Sequence, residues 1–225
     1  MPRLTTLSRS ARALRCSLIA WGLCLFSTPV WADFATLNAS QLPNNAAQTR
    51  LNNWQQLINN ATNLSNAGKL RAVNQLINNS LSYVSDQQAW GQAEYWATPT
   101  EALLRGQGDC EDFAIAKYFS LIKMGVSEAQ LRLMHVKALS SNSPHMVLAY
   151  YPSPQSEPLL LDNLTSRILP ANRRKDLLAI YAFNAEGIYL AKAPTQKIAQ
   201  PISLLSRWVG LNARMHDSDN AQPLL

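Results

Sequence analysis

The sequence predicts an α+β domain on three observations. Helical periodicity fills the first half of the chain, strand-length apolar runs fill the second, and an almost wholly apolar helix at their junction needs cover on most sides. The elements follow in order. Residues 1–32 read as a secretory signal: Arg3, Arg9, Arg12 and Arg15 form a positive n-region, Cys16 to Phe26 an apolar h-region, and Val30-Trp31-Ala32 a cleavage site before Asp33. Such an h-region is too short to span a bilayer, which takes about 20 residues. The domain is therefore assigned to residues 33–215, and 216–225 to a disordered tail.

In residues 45–86, rich in Asn and Gln, Leu51, Trp54, Leu57, Ile58 and Ala61 recur at helical steps, as do Leu70, Val73, Leu76, Ile77 and Leu81, with a break at 65–68. A hairpin of two helices is expected. Thr98-Pro99-Thr100-Glu101 is a capping box with proline at the first helical position, so a short helix is expected over 99–105, closed by Gly106. A second helix starts at Cys110 behind Asp109 as N-cap and ends at Gly125; its polar residues from Phe113 to Met124 are Lys117, Ser120 and Lys123, a narrow stripe. Strands are expected at 131–139, 145–151, 158–162, 177–184 and 187–191, joined as an antiparallel meander. An amphipathic segment at 202–215 completes the domain by docking on the sheet.

Charge excludes one class of function. The whole chain carries 20 basic and 14 acidic residues for a net +6, but without the four signal arginines the balance falls to +2. That leaves little electrostatic case for nucleic-acid binding, which usually needs a clustered basic face. Cysteine use is more informative, because Cys16 and Cys24 leave with the signal and Cys110 remains alone, so no disulfide can form in the mature chain. A free thiol in an oxidising compartment is a liability unless it acts.

Cys110 lies in Gly106-Gln107-Gly108-Asp109-Cys110-Glu111-Asp112-Phe113, where a glycine-rich turn enters the apolar helix. A helix N-terminus favours a thiolate and offers N–H groups to an oxyanion. The bland alternative is a small buried hydrophobe. A thiol nucleophile needs a base and a group to orient that base. Of three histidines, His216 falls in the expected tail and His135 inside an apolar strand, whereas His145 opens a strand at a sheet end and is preferred. Asp162, an abrupt acid after Leu159-Leu160-Leu161, is the candidate orienting carboxylate, with Asn163 as the fallback and an ordinary turn residue as the alternative.

Asp109, Glu111 and Asp112 put three carboxylates around this thiol. Hard oxygen ligands suit calcium, although acids in a first helical turn are favoured by the helix dipole anyway. Three side chains cannot fill six to eight positions, so further ligands are needed. Trp90, Tyr95 and Trp96 precede the nucleophile and either line a narrow groove or pack in the core.

The order of helix-borne Cys110, strand-borne His145 and strand-borne Asp162 resembles the transglutaminase-like, papain-like cysteine hydrolases. Tyr95-Trp96-Ala97-Thr98-Pro99-Thr100-Glu101, the Gly106 to Ala114 segment, Pro144-His145-Met146-Val147 and Leu161-Asp162-Asn163 are similar to the bacterial transglutaminase-like cysteine proteinases. The resemblance spans about residues 45–192. It implies a triad of Cys110, His145 and Asp162 and a calcium-dependent endopeptidase of the periplasm. It further implies a giant surface adhesin as substrate, cut near its N-terminus at an Ala-Ala site to release cells from a biofilm. The periplasmic domain of an inner-membrane cyclic-di-GMP receptor is the implied inhibitory partner. Transglutamination with the same triad, or a non-catalytic calcium-dependent binding module, are the competing readings.

Overall fold

The computed structural model describes residues 45–190, 193–198 and 205–221. The expected signal segment and the last four residues of the chain lie outside these. The first helix, α1 (Asn45–Asn59), buries Trp54, and α2 (Asn66–Ser80) buries Leu70, Val73 and Ile77. The expected break at 65–68 lies earlier, because Ser65 caps α2 by accepting from the Gly68 N–H at 3.3 Å. A 3-10 turn at Ala61–Asn63 separates the two helices instead.

Three short elements follow: β1 (Ser82–Tyr83), α3 (Asp86–Trp90) and α4 (Pro99–Arg105). The capping box is present, with Thr98 Oγ1 accepting from the Glu101 N–H at 3.2 Å and Glu101 Oε2 accepting from the Thr98 N–H at 2.7 Å. After α4 comes β2 (Gln107–Gly108), which runs parallel to β1 and leads directly into α5 (Cys110–Lys123).

Helix α5 is the centre of the molecule. Phe113, Ile115, Tyr118 and Leu121 are buried on it, each stabilising by roughly 1.5–3 kcal/mol. The narrow polar stripe is largely turned inward: Lys117 and Ser120 are fully buried, and only Lys123 of the three is exposed. Ser120 Oγ is satisfied, accepting from Trp54 Nε1 at 2.7 Å and donating to the Ala116 carbonyl. Helix α1 thus reads α5 through a buried hydrogen bond as well as apolar contact.

The sheet has the order β6-β5-β4-β3-β7-β8-β9, every pairing antiparallel. Its members are β3 (Leu131–Ala138), β4 (Ser143–Tyr150), β5 (Leu159–Leu161), β6 (Leu169–Pro170), β7 (Leu177–Asn184), β8 (Gly187–Leu190) and β9 (Ala193–Lys197). The expected simple meander holds from β3 to β6. Strand β7 then returns to the far side of β3, with a register shift between His135 and Val136. Leu131, Leu133, Met146, Leu148, Leu161 and Phe183 join the core beneath α5. The last helix, α6 (Ser206–Ala221), buries Trp208 against Tyr118, Phe119 and Phe183. It runs past the expected end at 215, so residues 216–221 are helical rather than tail.

Candidate active site

The route by which Cys110 reaches its position is set by glycine and hydrogen bonds. Gly106 ends α4 in the left-handed region at φ 69°, and a Cβ there would meet Arg50 Cζ at 2.7 Å. Arg50 fills that space because it caps α4, donating to the carbonyls of Leu103 and Leu104. The Ser82 and Val84 N–H groups then bond to the carbonyls of Gly106 and Gly108, both at 3.0 Å, which fixes the approach. At Gly108 a Cβ would lie 2.5 Å from Asp112 Oδ2, so no other residue fits without displacing that carboxylate. Asp109 caps α5 as expected by accepting from the Glu111 N–H at 3.2 Å.

Strand β4 presents the base. His145 Nε2 and Asp162 Oδ1 are 2.8 Å apart, in a setting where both residues are buried. A carboxylate only accepts, so Nε2 carries the proton and Nδ1 is left free to take one. Asp162 Oδ1 also accepts from the Leu164 N–H at 3.0 Å, and Oδ2 accepts from Arg174 Nη2 at 2.7 Å. Burial works against ionisation of Asp162, but the His145 bond and charge, the Leu164 N–H and the Arg174 guanidinium together hold its pKa at about 2. Arg174 is itself held by Asp176, which accepts from Nε at 2.9 Å. Sequence reasoning missed Arg174, since it lies in a loop with no motif around it.

Cys110 is buried, and its sulfur faces the next residue of the same strand, the backbone N–H of Met146. The expected thiolate-favouring setting is reversed in the protein alone. Burial, then the Glu111 carboxylate, then Asp109, push the thiol far up, and the Met146 N–H offsets only part of this. Glu111 Oε2 lies 2.7 Å from Cys110 Sγ and accepts the thiol proton.

The acids divide differently from their order in sequence. Asp86, Asp109 and Asp112 each offer an oxygen within 4.8 Å of the others, and Asp109 belongs also to a group with Cys110 and Glu111. Burial followed by the neighbouring charges of Glu111, Asp112 and Asp86 lifts the Asp109 pKa to about 9, and burial lifts that of Asp112 to about 7. Asp112 accepts from the Ala97 N–H at 2.8 Å and from Trp90 Nε1 at 3.3 Å. Asp86 Oδ2 accepts from the Tyr95 N–H, whereas its Oδ1 is buried with no partner among the described residues. An orphaned carboxylate oxygen within an all-oxygen cluster fits a hard cation, and fits calcium better than the group containing sulfur does. Asp86 was not legible in the sequence, because it lies in another helix and only the β1–β2 pairing and α3 bring it to α5.

Other candidates take structural places. His135 stacks on Tyr181 with ring centroids 4.9 Å apart, and burial lowers its pKa. His216 lies exposed on α6. Trp90 and Trp96 are buried and Tyr95 packs on Trp90, so these rings are packing residues rather than the walls of a groove. Asn163, the fallback for Asp162, makes no contact with His145 among the described hydrogen bonds.

No curated protein matches the chain. The family model described as "Bacterial transglutaminase-like cysteine proteinase BTLCP" matches residues 39–176. Among solved structures, EGTA-treated LapG of Legionella pneumophila superimposes with a TM-score of 0.69 at 37% identity, covering 80% of this chain and 98% of that one. Calcium-bound LapG of the same organism gives 0.67 at 37% identity, with 80% and 99% covered. The mixed helix and antiparallel-sheet architecture is thus transglutaminase-like, and the chain belongs to the bacterial transglutaminase-like cysteine proteinases, as a LapG-like cysteine peptidase.

Proposed function

We propose that this protein is a calcium-dependent cysteine endopeptidase of the periplasm that cuts a large surface adhesin near its N-terminus at an Ala-Ala site and so promotes release from a biofilm. The observation that carries the catalytic part is the buried His145–Asp162 pair, 2.8 Å apart, with His145 on the strand whose next N–H, that of Met146, faces Cys110 Sγ. In this reading Cys110 Sγ attacks the scissile carbonyl carbon and His145 Nδ1 takes the thiol proton. His145 then delivers that proton to the departing amine, leaving a thioester on Cys110. Water attacks the thioester, gives a proton back to His145, and frees the acid product as the proton returns to sulfur. Asp162 keeps the imidazole in the required tautomer throughout.

Asp86, Asp109 and Asp112 would hold calcium, with Glu111 adjacent through Asp109. The bound cation would neutralise the carboxylates that keep the thiol protonated. The solved calcium-bound form of LapG supports this reading. Adhesin as substrate, periplasmic location and inhibition by the periplasmic domain of a cyclic-di-GMP receptor rest on family resemblance. No helix among the described residues is long and apolar enough to cross a membrane.

The test is cleavage of an adhesin N-terminal domain by the purified protein with calcium, against the same domain with Ala-Ala replaced by Arg-Arg. Cleavage of the first alone, lost in a folded Cys110→Ala variant, is expected. Full activity in that variant, or cleavage indifferent to the replacement, overturns the reading. Incorporation of a lysine analogue without cleavage would establish transglutamination instead.

A further inference from the structure

The sheet face that carries α5 opens row by row beyond the nucleophile. Residues directly paired across strands share a face. The inner row on this face, Leu148–Leu133–Phe183–Ile188, is buried in the core that α5 and Trp208 close. The next row is Met146–His135–Tyr181–Leu190, in which Met146 is fully buried, His135 and Tyr181 are half-buried and stacked, and Leu190 is 40% exposed. One row further, Leu178 stands opposite Lys137 and is 50% exposed. Val136 pairs with Ala179 and His135 with Tyr181, so Ile180 is the extra residue of a bulge, and it is 54% exposed. The other face of the same strands is closed: Val136, Val147 and Ala182 are buried there, with Leu177 and Ala179 packed against them. Single exposed apolar side chains are ordinary, but Leu178, Ile180 and Leu190 stand together around the His135–Tyr181 stack, and contiguous apolar surface of this kind marks a binding site.

The half-open row starts at the nucleophile, because the Met146 N–H faces Cys110 Sγ and the Met146 side chain is the cross-strand neighbour of His135. A scissile carbonyl within reach of Cys110 therefore leaves one flank of its chain beside this row. From Met146 to Leu190 the row crosses three strand spacings of about 4.8 Å, roughly 14 Å, the length of about four extended residues. We propose that this shelf is a specificity surface for the substrate: Tyr181, Leu178, Ile180 and Leu190 take large apolar side chains lying two to four residues from the scissile bond, on one side of it. The inference rests on the reading of Cys110 as the nucleophile of an endopeptidase. It divides recognition in two, with small residues at the bond and apolar anchors a short distance along the chain.

The experiment uses the mature protein with calcium and the double variant Leu178→Ser/Ile180→Ser, both sites being exposed and outside the catalytic machinery. Two substrates are compared, the adhesin N-terminal domain and a pool of peptides made by digesting a bacterial proteome. On the adhesin domain the variant should lose about tenfold or more in kcat/KM, through KM, with kcat at saturation unchanged. On the pool the wild type should favour large apolar residues two to four positions to one side of the cut, and the variant should lose that preference. Alkylation of Cys110 by iodoacetamide should proceed at the same rate in both proteins. Wild-type kcat/KM together with an unchanged cleavage profile in the variant would overturn the proposal. An equal fall in alkylation rate would also overturn it, by making the two residues supports of the site. A wild-type dimer in sedimentation that the double variant dissociates would overturn it by giving the shelf to a second copy of the chain. If the wild type cuts the pool but not the adhesin domain, the adhesin reading fails while an apolar-biased profile still supports the shelf. Cleavage of neither overturns the peptidase reading and the shelf with it.

Discussion

Replacing Glu111 with Gln should make Cys110 more reactive in the absence of calcium, although Glu111 lies in the motif that defines the site. The reason is the 2.7 Å separation between Glu111 Oε2 and Cys110 Sγ. At that distance, and at an effective dielectric of about 20, a carboxylate and a thiolate repel by about 6 kcal/mol. Glu111 is partly exposed, so solvent screens the pair; a third of that figure, about 2 kcal/mol, still lowers the apparent thiol pKa by about 1.5 units. The hydrogen bond that now holds the proton on sulfur weakens in the same direction. The assay is the rate of alkylation by iodoacetamide between pH 6 and 10 in EGTA, read at Cys110 by mass spectrometry. The expected result is a profile displaced toward lower pH by about 1.5 units, so that alkylation at pH 7.5 is faster by about tenfold or more. Adding calcium to the wild type should displace its profile in the same direction, because a cation and a neutral amide remove the same repulsion. A profile moved by less than about 0.3 units in Glu111→Gln would refute the claim that this carboxylate holds the thiol protonated.

Further expectations follow from the same geometry. Gly108→Ala should cost about 1–3 kcal/mol and weaken calcium binding measured by calorimetry, because its Cβ would stand 2.5 Å from Asp112 Oδ2. Calcium should raise the melting temperature of the wild type but not of Asp86→Ala, since a ligand that binds only the native state stabilises it. Arg174→Met should cost about 3 kcal/mol by leaving Asp162 without its guanidinium, read by urea denaturation. Asp162 has a folded pKa of about 2 against 3.8, so its contribution is present above pH 4 and lost as pH falls through about 2; Asp162→Asn should flatten that part of the stability profile. Lys117 has a folded pKa lowered to about 7 by burial, so the unfolded chain binds the extra proton between pH 7 and 10 and stability should rise across that window. Lys117→Met should abolish the rise, measured as melting temperature against pH.

The sequence alone determined the elements whose signals are local. The capping box at Thr98 and Glu101 and the N-cap at Asp109 are chemical devices that act within one helical turn, so they were legible residue by residue. The five principal strands carried their own length and composition. The placement of Cys110 at a helix start, with His145 and Asp162 at strand ends, followed from the same signals. What only the tertiary structure decided depends on groups brought from a distance. The two-residue pair β1–β2 has no periodicity to detect, yet it carries Gly108 and Asp109 past Asp86 and so builds the acidic cluster. Strand β7 could not be placed beside β3 from composition, because either side of a growing sheet satisfies the same apolar pattern. Lys117 and Ser120 share the spacing of a narrow polar stripe, yet both are fully buried, Ser120 beneath Trp54, and no local signal marks that burial. The thiol's electrostatics turn on the same kind of distance effect: a helix N-terminus contributes only about half a charge, and two nearby carboxylates with burial outweigh it.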